Sequence, residues 1–151
     1  QAIGVRQSKE LGLKAVFFGT EGARDKKDFI QAAEGAAEGA YVYHFAPDIY
    51  AIVEAKSYVT KYETKYGSLS GFGPPAYEAA HILLAAMDKA AKANKLNRKE
   101  ILANVTQTKG HKGILGFPVS FDAKGDLAGG ATYFFKVVGK DFQQVGLMTG
   151  Q

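Results

Sequence analysis

The chain has 151 residues, 46% apolar and 23% charged, with a formal net charge of +4. That length suits one domain or two small lobes, and the balance of residue types is that of a globular protein. The absence of cysteine excludes thiolate metal sites and thiol catalysis. The basic residues are scattered, as at Lys26-Lys27, Lys61, Lys65 and Lys89. Nucleic-acid binding needs a clustered patch, so no nucleic-acid partner is expected. No apolar run approaches the roughly 18 residues of a membrane span. No basic, apolar and small leader opens the chain, and Gln1 precedes a helix pattern with no start signal, so the sequence reads as cut from a longer one.

Ile3 to Leu11 predicts a short helix. Gly12 followed by Leu13 is a Schellman-type stop. Ala15 to Phe18 predicts a short buried strand running into a tight turn, where Glu21 stands between Gly19 and Gly22. A helix feeding straight into an apolar strand is the second half of a βαβ unit. Arg24 to Glu38 predicts a helix with Asp25 or Asp28 as N-cap and Gly39 as stop. Ala40 to Ala46 alternates, with Tyr41, Tyr43 and Phe45 on one face and Val42, His44 and Ala46 on the other, hence a strand closed by Pro47.

Ile49 to Tyr66 predicts a long amphipathic helix, followed by a break from Gly67 to Pro75. Pro74-Pro75 preset the first turn of a helix over Ala76 to Ala93. Its polar residues Glu78, His81, Asp88 and Lys92 form a narrow stripe, which predicts that most of the remaining surface is buried. Asn97 and Glu100 make a capping-box start for a helix to about Val105. Phe117, Val119 and Phe121 then alternate, and Asp122 to Asp126 reads as a turn. Thr132 to Val138 and Phe142 to Leu147, joined by Gly139-Lys140-Asp141, predict a terminal hairpin.

Catalytic signatures fail one by one. There is no Gly-Lys-Ser/Thr phosphate loop and no H-E-x-x-H, and His44, His81 and His111 are far apart in sequence. Gly67-Ser-Leu-Ser-Gly71 has leucine where a nucleophile elbow needs serine. Asp122-x-Lys124-x-Asp126 begins like a calcium loop but has Tyr133 where a bidentate glutamate belongs. Gly110-His-Lys-Gly113 fits an RNA-binding G-x-x-G, but that loop joins two helices and a strand pattern follows here. No nucleophile, base and metal set converges, so an enzyme is not expected, nor a cofactor or metal. Ligands of open α/β sheets bind beyond the carboxyl ends of strands, which singles out Glu21. On residue type alone Glu21 also reads as a solvated loop glutamate, and Tyr77 as an aromatic packed at a helix start.

Four segments in order, Gly12 to Gly22, Ala36 to Val42, Ala76 to Ala80 and Gly116 to Asp126, carry a resemblance that spans nearly the whole chain. Together they resemble the C-terminal part of a branched-chain-amino-acid-type solute-binding protein of bacterial ABC transporters. The resemblance implies an α/β fold, part of a two-lobed type I periplasmic-binding-protein clamshell, with parallel-rich sheets flanked by helices and a C-terminal hairpin. It implies that residues 1–47 belong to the C-terminal lobe, 48–128 to the N-terminal lobe, and 129–151 to the C-terminal lobe again. It further implies a periplasmic or other extracytoplasmic location, an amino acid or related amine as ligand, and a transporter permease as partner of the full-length protein. In amino-acid-binding members the acidic residue of the Gly-x-Glu-Gly turn takes the ligand ammonium, which matches Glu21; an aromatic of the Tyr-x-Ala-Ala helix start lines the cleft, which matches Tyr77. A sensory or regulatory receptor domain of the same clamshell fold is the alternative function. The family's first-lobe core is not in this sequence, so open sheet edges predict a homo-oligomer, most simply a swapped dimer.

Overall fold

The computed structural model describes residues 1–149. The chain forms two compact units. One comprises Gln1–Asp48 with the segment from Ala131 onward, and the other comprises Ile49–Gly130.

In the first unit, helix α1 (Ala2–Glu10) ends in the predicted Schellman motif. Gly12 has φ 71°, the Leu13 N–H donates to Ser8 O at 2.9 Å and the Gly12 N–H to Lys9 O at 3.0 Å. Strand β1 is only Phe18–Gly19, shorter than the expected Ala15–Phe18 and far from buried: Val16 is 68% and Phe18 56% exposed. The cause is its position. β1 lies at the sheet edge, with β2 (Tyr41–His44) as its one strand neighbour. The chain then closes on itself as a hairpin of β3 (Ala131–Val138) and β4 (Asp141–Thr149).

The sheet order is β1-β2-β3-β4. β1 and β2 are parallel, while β2 pairs with β3, and β3 with β4, antiparallel. The sheet is therefore mixed, because the expected C-terminal hairpin supplies half its strands. Val42, Phe135 and Val137 face a core built with Val5 of α1 and with Phe29, Ile30, Ala33 and Ala37.

The helix expected over 24–38 breaks into pieces. A 3-10 turn spans Glu21–Ala23 and a single π turn spans Lys26–Gln31, with Ile30 N–H reaching Asp25 O and Ala32 N–H reaching Lys27 O. Asp25 is the cap, its carboxylate accepting from the N–H groups of Lys27 and Asp28 at 2.8 and 2.7 Å. Glu34 (φ 51°) and Gly35 (φ 87°) then take left-handed conformations that no helix can continue through.

In the second unit the helix expected from Ile49 starts late. Two 3-10 turns, Ile49–Ala51 and Val53–Ala55, precede α2 (Lys56–Tyr66), because Ile52 between them is extended (φ −94°, ψ 121°) and packs with Ile49, Ala55 and Val59. Helix α3 (Gly73–Lys92) begins on Pro74 and Pro75, as their fixed φ allows. Its buried stripe is Glu78, Ile82, Ala86 and Ala90, while Leu83 and Leu84 are 47% and 59% exposed. This corrects the expectation of a mostly buried apolar helix with Glu78 on the polar stripe. Helix α4 (Arg98–Thr106) is capped by Asn97, which accepts the Glu100 N–H at 3.0 Å. The expected strand over 117–121 reduces to isolated bridges, His111 with Val119 and Phe121 with Leu127. Its apolar residues pack instead against Ile82 of α3.

Candidate functional site

The Glu21 turn is fixed by small residues and by Gln1. A Cβ at Gly19 would lie 3.0 Å from Ala23 and 3.2 Å from Val42, so the strand ends on a glycine. The Gln1 side chain accepts the Thr20 N–H at 3.0 Å and donates to the Thr20 hydroxyl at 2.9 Å. The N–H groups of Ala23 and Arg24 donate to the carbonyls of Thr20 and Glu21, which curls the chain straight out of β1.

That curl presents the Glu21 carboxylate to the Tyr43 hydroxyl on β2. The neighbouring Tyr43 hydroxyl, with help from Glu21's own backbone N–H and from nearby His44, holds this carboxyl below its ordinary pKa. The Glu21 carboxylate in turn raises the Tyr43 hydroxyl. Tyr43 stacks on Phe18 with centroids 6.3 Å apart, and Phe18 lies 6.1 Å from Phe134. The result is an ionised carboxylate at the C-terminal end of a parallel strand, beside an aromatic floor. It can accept a charge-assisted hydrogen bond from an ammonium group. Sequence reasoning singled out Glu21 and missed Tyr43, whose alternation with Tyr41 and Phe45 was the available signal.

Tyr77 stands in the second unit, near the start of α3, 38% exposed. Its ring centroid is 4.5 Å from Tyr58 and 4.3 Å from His81, and Tyr58 and Tyr66 each adjoin Tyr62. These tyrosines edge a shallow hollow of about 340 Å³, with Lys61 at its rim. Partial burial beside Tyr62 and Tyr77 pushes the Tyr58 hydroxyl up. The i, i+4 spacing of Tyr58, Tyr62 and Tyr66 was legible in the sequence, but their meeting with Tyr77 was not. Glu21 and Tyr77 thus belong to different units.

Glu78 is the second surprise. It is 3% exposed, bonded to His111 and to the Ile114 N–H, and fills the space beside Gly113. It serves the packing of the second unit, and Gly110 to Gly113 is the loop it holds.

The family model of the periplasmic binding protein matches residues 3–142. The chain belongs to the periplasmic binding protein family. No curated protein matches it significantly. Among solved structures it is similar to the leucine binding protein LivK of Thermotoga maritima, at 22% identity and TM-score 0.83, covering 97% of this chain and 41% of that one. It is equally similar to LivJ of Streptococcus pneumoniae, a branched-chain amino acid transporter substrate-binding protein in complex with isoleucine, at 22% identity and TM-score 0.83, covering 99% and 41%. A solute binding protein of an ABC transporter from R. palustris, in complex with benzoate, matches at 19% identity and TM-score 0.75, covering 97% and 39%. These likenesses establish the fold, an α/β sheet flanked by helices as in type I periplasmic binding proteins. The chain spans about two-fifths of the length of these family structures. Among the described residues, no helix is long and apolar enough to cross a membrane.

Proposed function

We propose that this chain serves in an extracytoplasmic solute-binding protein for ABC-transporter uptake, with a branched-chain-type amino acid as ligand. The observation that carries the reading is the place of Glu21, in the turn directly past the carboxyl end of β1 and beside the Phe18, Tyr43 and Phe134 rings. In this reading Glu21 takes the ligand's α-ammonium and Tyr77 supplies an aromatic wall from the other lobe. Residues 1–47 and 129–151 are then C-terminal lobe and 48–128 N-terminal lobe. Solved structures of this fold hold isoleucine in one case and benzoate in another, so the fold leaves the ligand open. An anionic group at Glu21 favours an amine-bearing ligand over a carboxylate without one. The proposal concerns a protein of the relatives' full length, which would hand its ligand to a transporter permease.

Calorimetry on that full-length protein tests the reading. Leucine is expected to bind and benzoate not to. Glu21→Gln is expected to weaken leucine by about 1.5–3 kcal/mol, the scale of a hydrogen bond to a charged group. Unchanged affinity would return Glu21 to the solvated loop residues. We also propose that the 151-residue chain self-associates, most simply as a dimer, on the strength of Leu83, Leu84 and Met87 exposed along α3. Light scattering that finds a compact 16.2 kDa monomer would overturn this.

A further inference from the structure

Three residues after Glu21, one side chain reaches three parts of the first unit. The backbone N–H of Arg24 closes the turn onto the Glu21 carbonyl at 3.0 Å. Its guanidinium lies 3.7 Å from the centre of the Phe135 ring on β3. One guanidinium nitrogen, Nη1, is 3.3 Å from the Ala46 carbonyl oxygen, 3.4 Å from that of Pro47 and 3.4 Å from His44 Nδ1. The other, Nη2, is 4.0 Å from an Asp48 carboxylate oxygen. The side chain is only 10% exposed. Ala46 to Asp48 are the last residues before the chain leaves this unit at Ile49.

The chemistry suits arginine and little else. A planar fork with five donors can serve two carbonyls and a carboxylate at once while its face rests on an aromatic ring. The contacts at 3.3–3.4 Å are long for N–H···O bonds, so small displacements change their strength. Phe135 is fully buried and fixes one side of the guanidinium, while the Asp48 N–H donates to Gln144 of β4 at 2.9 Å and the Ala46 N–H to His44 Nδ1 at 3.0 Å.

We infer that Arg24 is a positioning residue that ties the Glu21 turn to residues 46–48, so that a displacement of the turn is passed to the segment by which the chain leaves the first unit. Its use in ligand capture rests on the proposed role of Glu21; the tie itself is a property of the unliganded chain. A ligand that draws on Glu21 pulls the backbone at Arg24 through the turn bond. The guanidinium, pivoting on the Phe135 ring, then shifts the two carbonyls it holds.

Hydrogen exchange on the full chain without ligand tests the tie. Arg24→Ala is expected to speed exchange at the amides of Ala46 and Asp48 at least tenfold, leaving Val42 and Val137 as slow as before. Arg24→Lys keeps the charge but not the fork, and should speed the same amides by less. Proton NMR of the His44 ring, read beside the exchange at Val42 and Val137, reports whether a cation still stands next to it. Its titration midpoint should rise in Arg24→Ala, which removes the neighbouring cation, and hold in Arg24→Lys. Unchanged exchange at Ala46 and Asp48 in Arg24→Ala would overturn the inference. If that variant loosens Val42 and Val137 as well, Arg24→Lys becomes the deciding variant, because it keeps a cation by the Phe135 ring and removes the fork that reaches the two carbonyls. It should speed exchange at Ala46 and Asp48 alone, and no change there would overturn the tie. Added leucine, in the full-length protein, should slow these amides in the wild type and not in Arg24→Ala. Failure of leucine to bind would overturn the functional reading, while the ligand-free comparison still decides the tie.

Discussion

Oε1 of Glu78 lies 2.6 Å from Nε2 of His111, and Oε2 of the same carboxylate accepts the Ile114 N–H at 2.7 Å. A buried acid on α3 thus latches a loop that lies 33 residues further along the chain. Removing one partner of a buried polar pair leaves the others unsatisfied, so Glu78→Ala should cost about 2–4 kcal/mol of second-unit stability in urea titrations. Gly113 is coupled to it, because a Cβ there would run into the Glu78 carboxylate. Gly113→Ala should cost about 1–3 kcal/mol alone and clearly less in the Glu78→Ala background, a non-additivity that a double-mutant cycle reads directly.

His44 makes the first unit acid-sensitive. Burial first, and the Arg24 cation second, push its pKa from 6.5 down to about 4. The folded chain therefore holds the imidazole neutral while the unfolded chain protonates it more readily. Stability is fully present above pH 6.5, falls as pH drops from 6.5 towards 4, and from this group falls no further below that. The loss should be roughly 2–3 kcal/mol after allowing for screening. Urea midpoints measured from pH 7 to pH 4 would show it, and His44→Asn should flatten the slope over that window.

Tyr43→Phe should raise the titration midpoint of Glu21. The hydroxyl is the leading reason that this carboxyl sits below its ordinary value, and the substitution removes it without changing the ring stack on Phe18. Carbon-13 NMR of the Glu21 carboxyl measures the midpoint. No change would mean that the Glu21 backbone N–H and His44 hold the carboxylate unaided.

Asp25→Ala should destabilise the first unit by about 1 kcal/mol, the usual worth of a helix N-cap. Both N–H groups capped by Asp25 open a turn that carries the core residues Phe29 and Ile30. Hydrogen exchange should accelerate first at Lys27 and Asp28, and equal protection in the variant would show that water caps the turn as well.

What could be read from the sequence was local in origin. The stop at Gly12, the start at Pro74-Pro75, the Asn97 cap and the closing hairpin each depend on residues within a few positions of one another. The misread helices depend on distant contacts. Ile52 leaves the helical path and lies against Gly116, and nothing near it in sequence announces that. Glu34 is an ordinary helix former that takes a left-handed conformation here. The candidate site divides in the same way. Gly19 and Gly22 frame Glu21 visibly, whereas its neighbour Tyr43 comes from another strand and Tyr58, which meets the Tyr77 ring, comes from another helix.

The antiparallel pair of β2 with β3 has a kinetic consequence. His44 faces Tyr133, so residues 49–130 form an insertion into what would otherwise be the turn of a simple hairpin. Closing a loop of about 90 residues rather than about six costs roughly 2 kcal/mol more chain entropy if the intervening chain is still flexible. That cost falls on the central pairing of the sheet, the step that buries Phe135 and Val137 beneath α1. A chain with residues 49–130 replaced by a short turn should therefore form its sheet faster than the parent, because the same native register is then reached through contacts of low sequence separation.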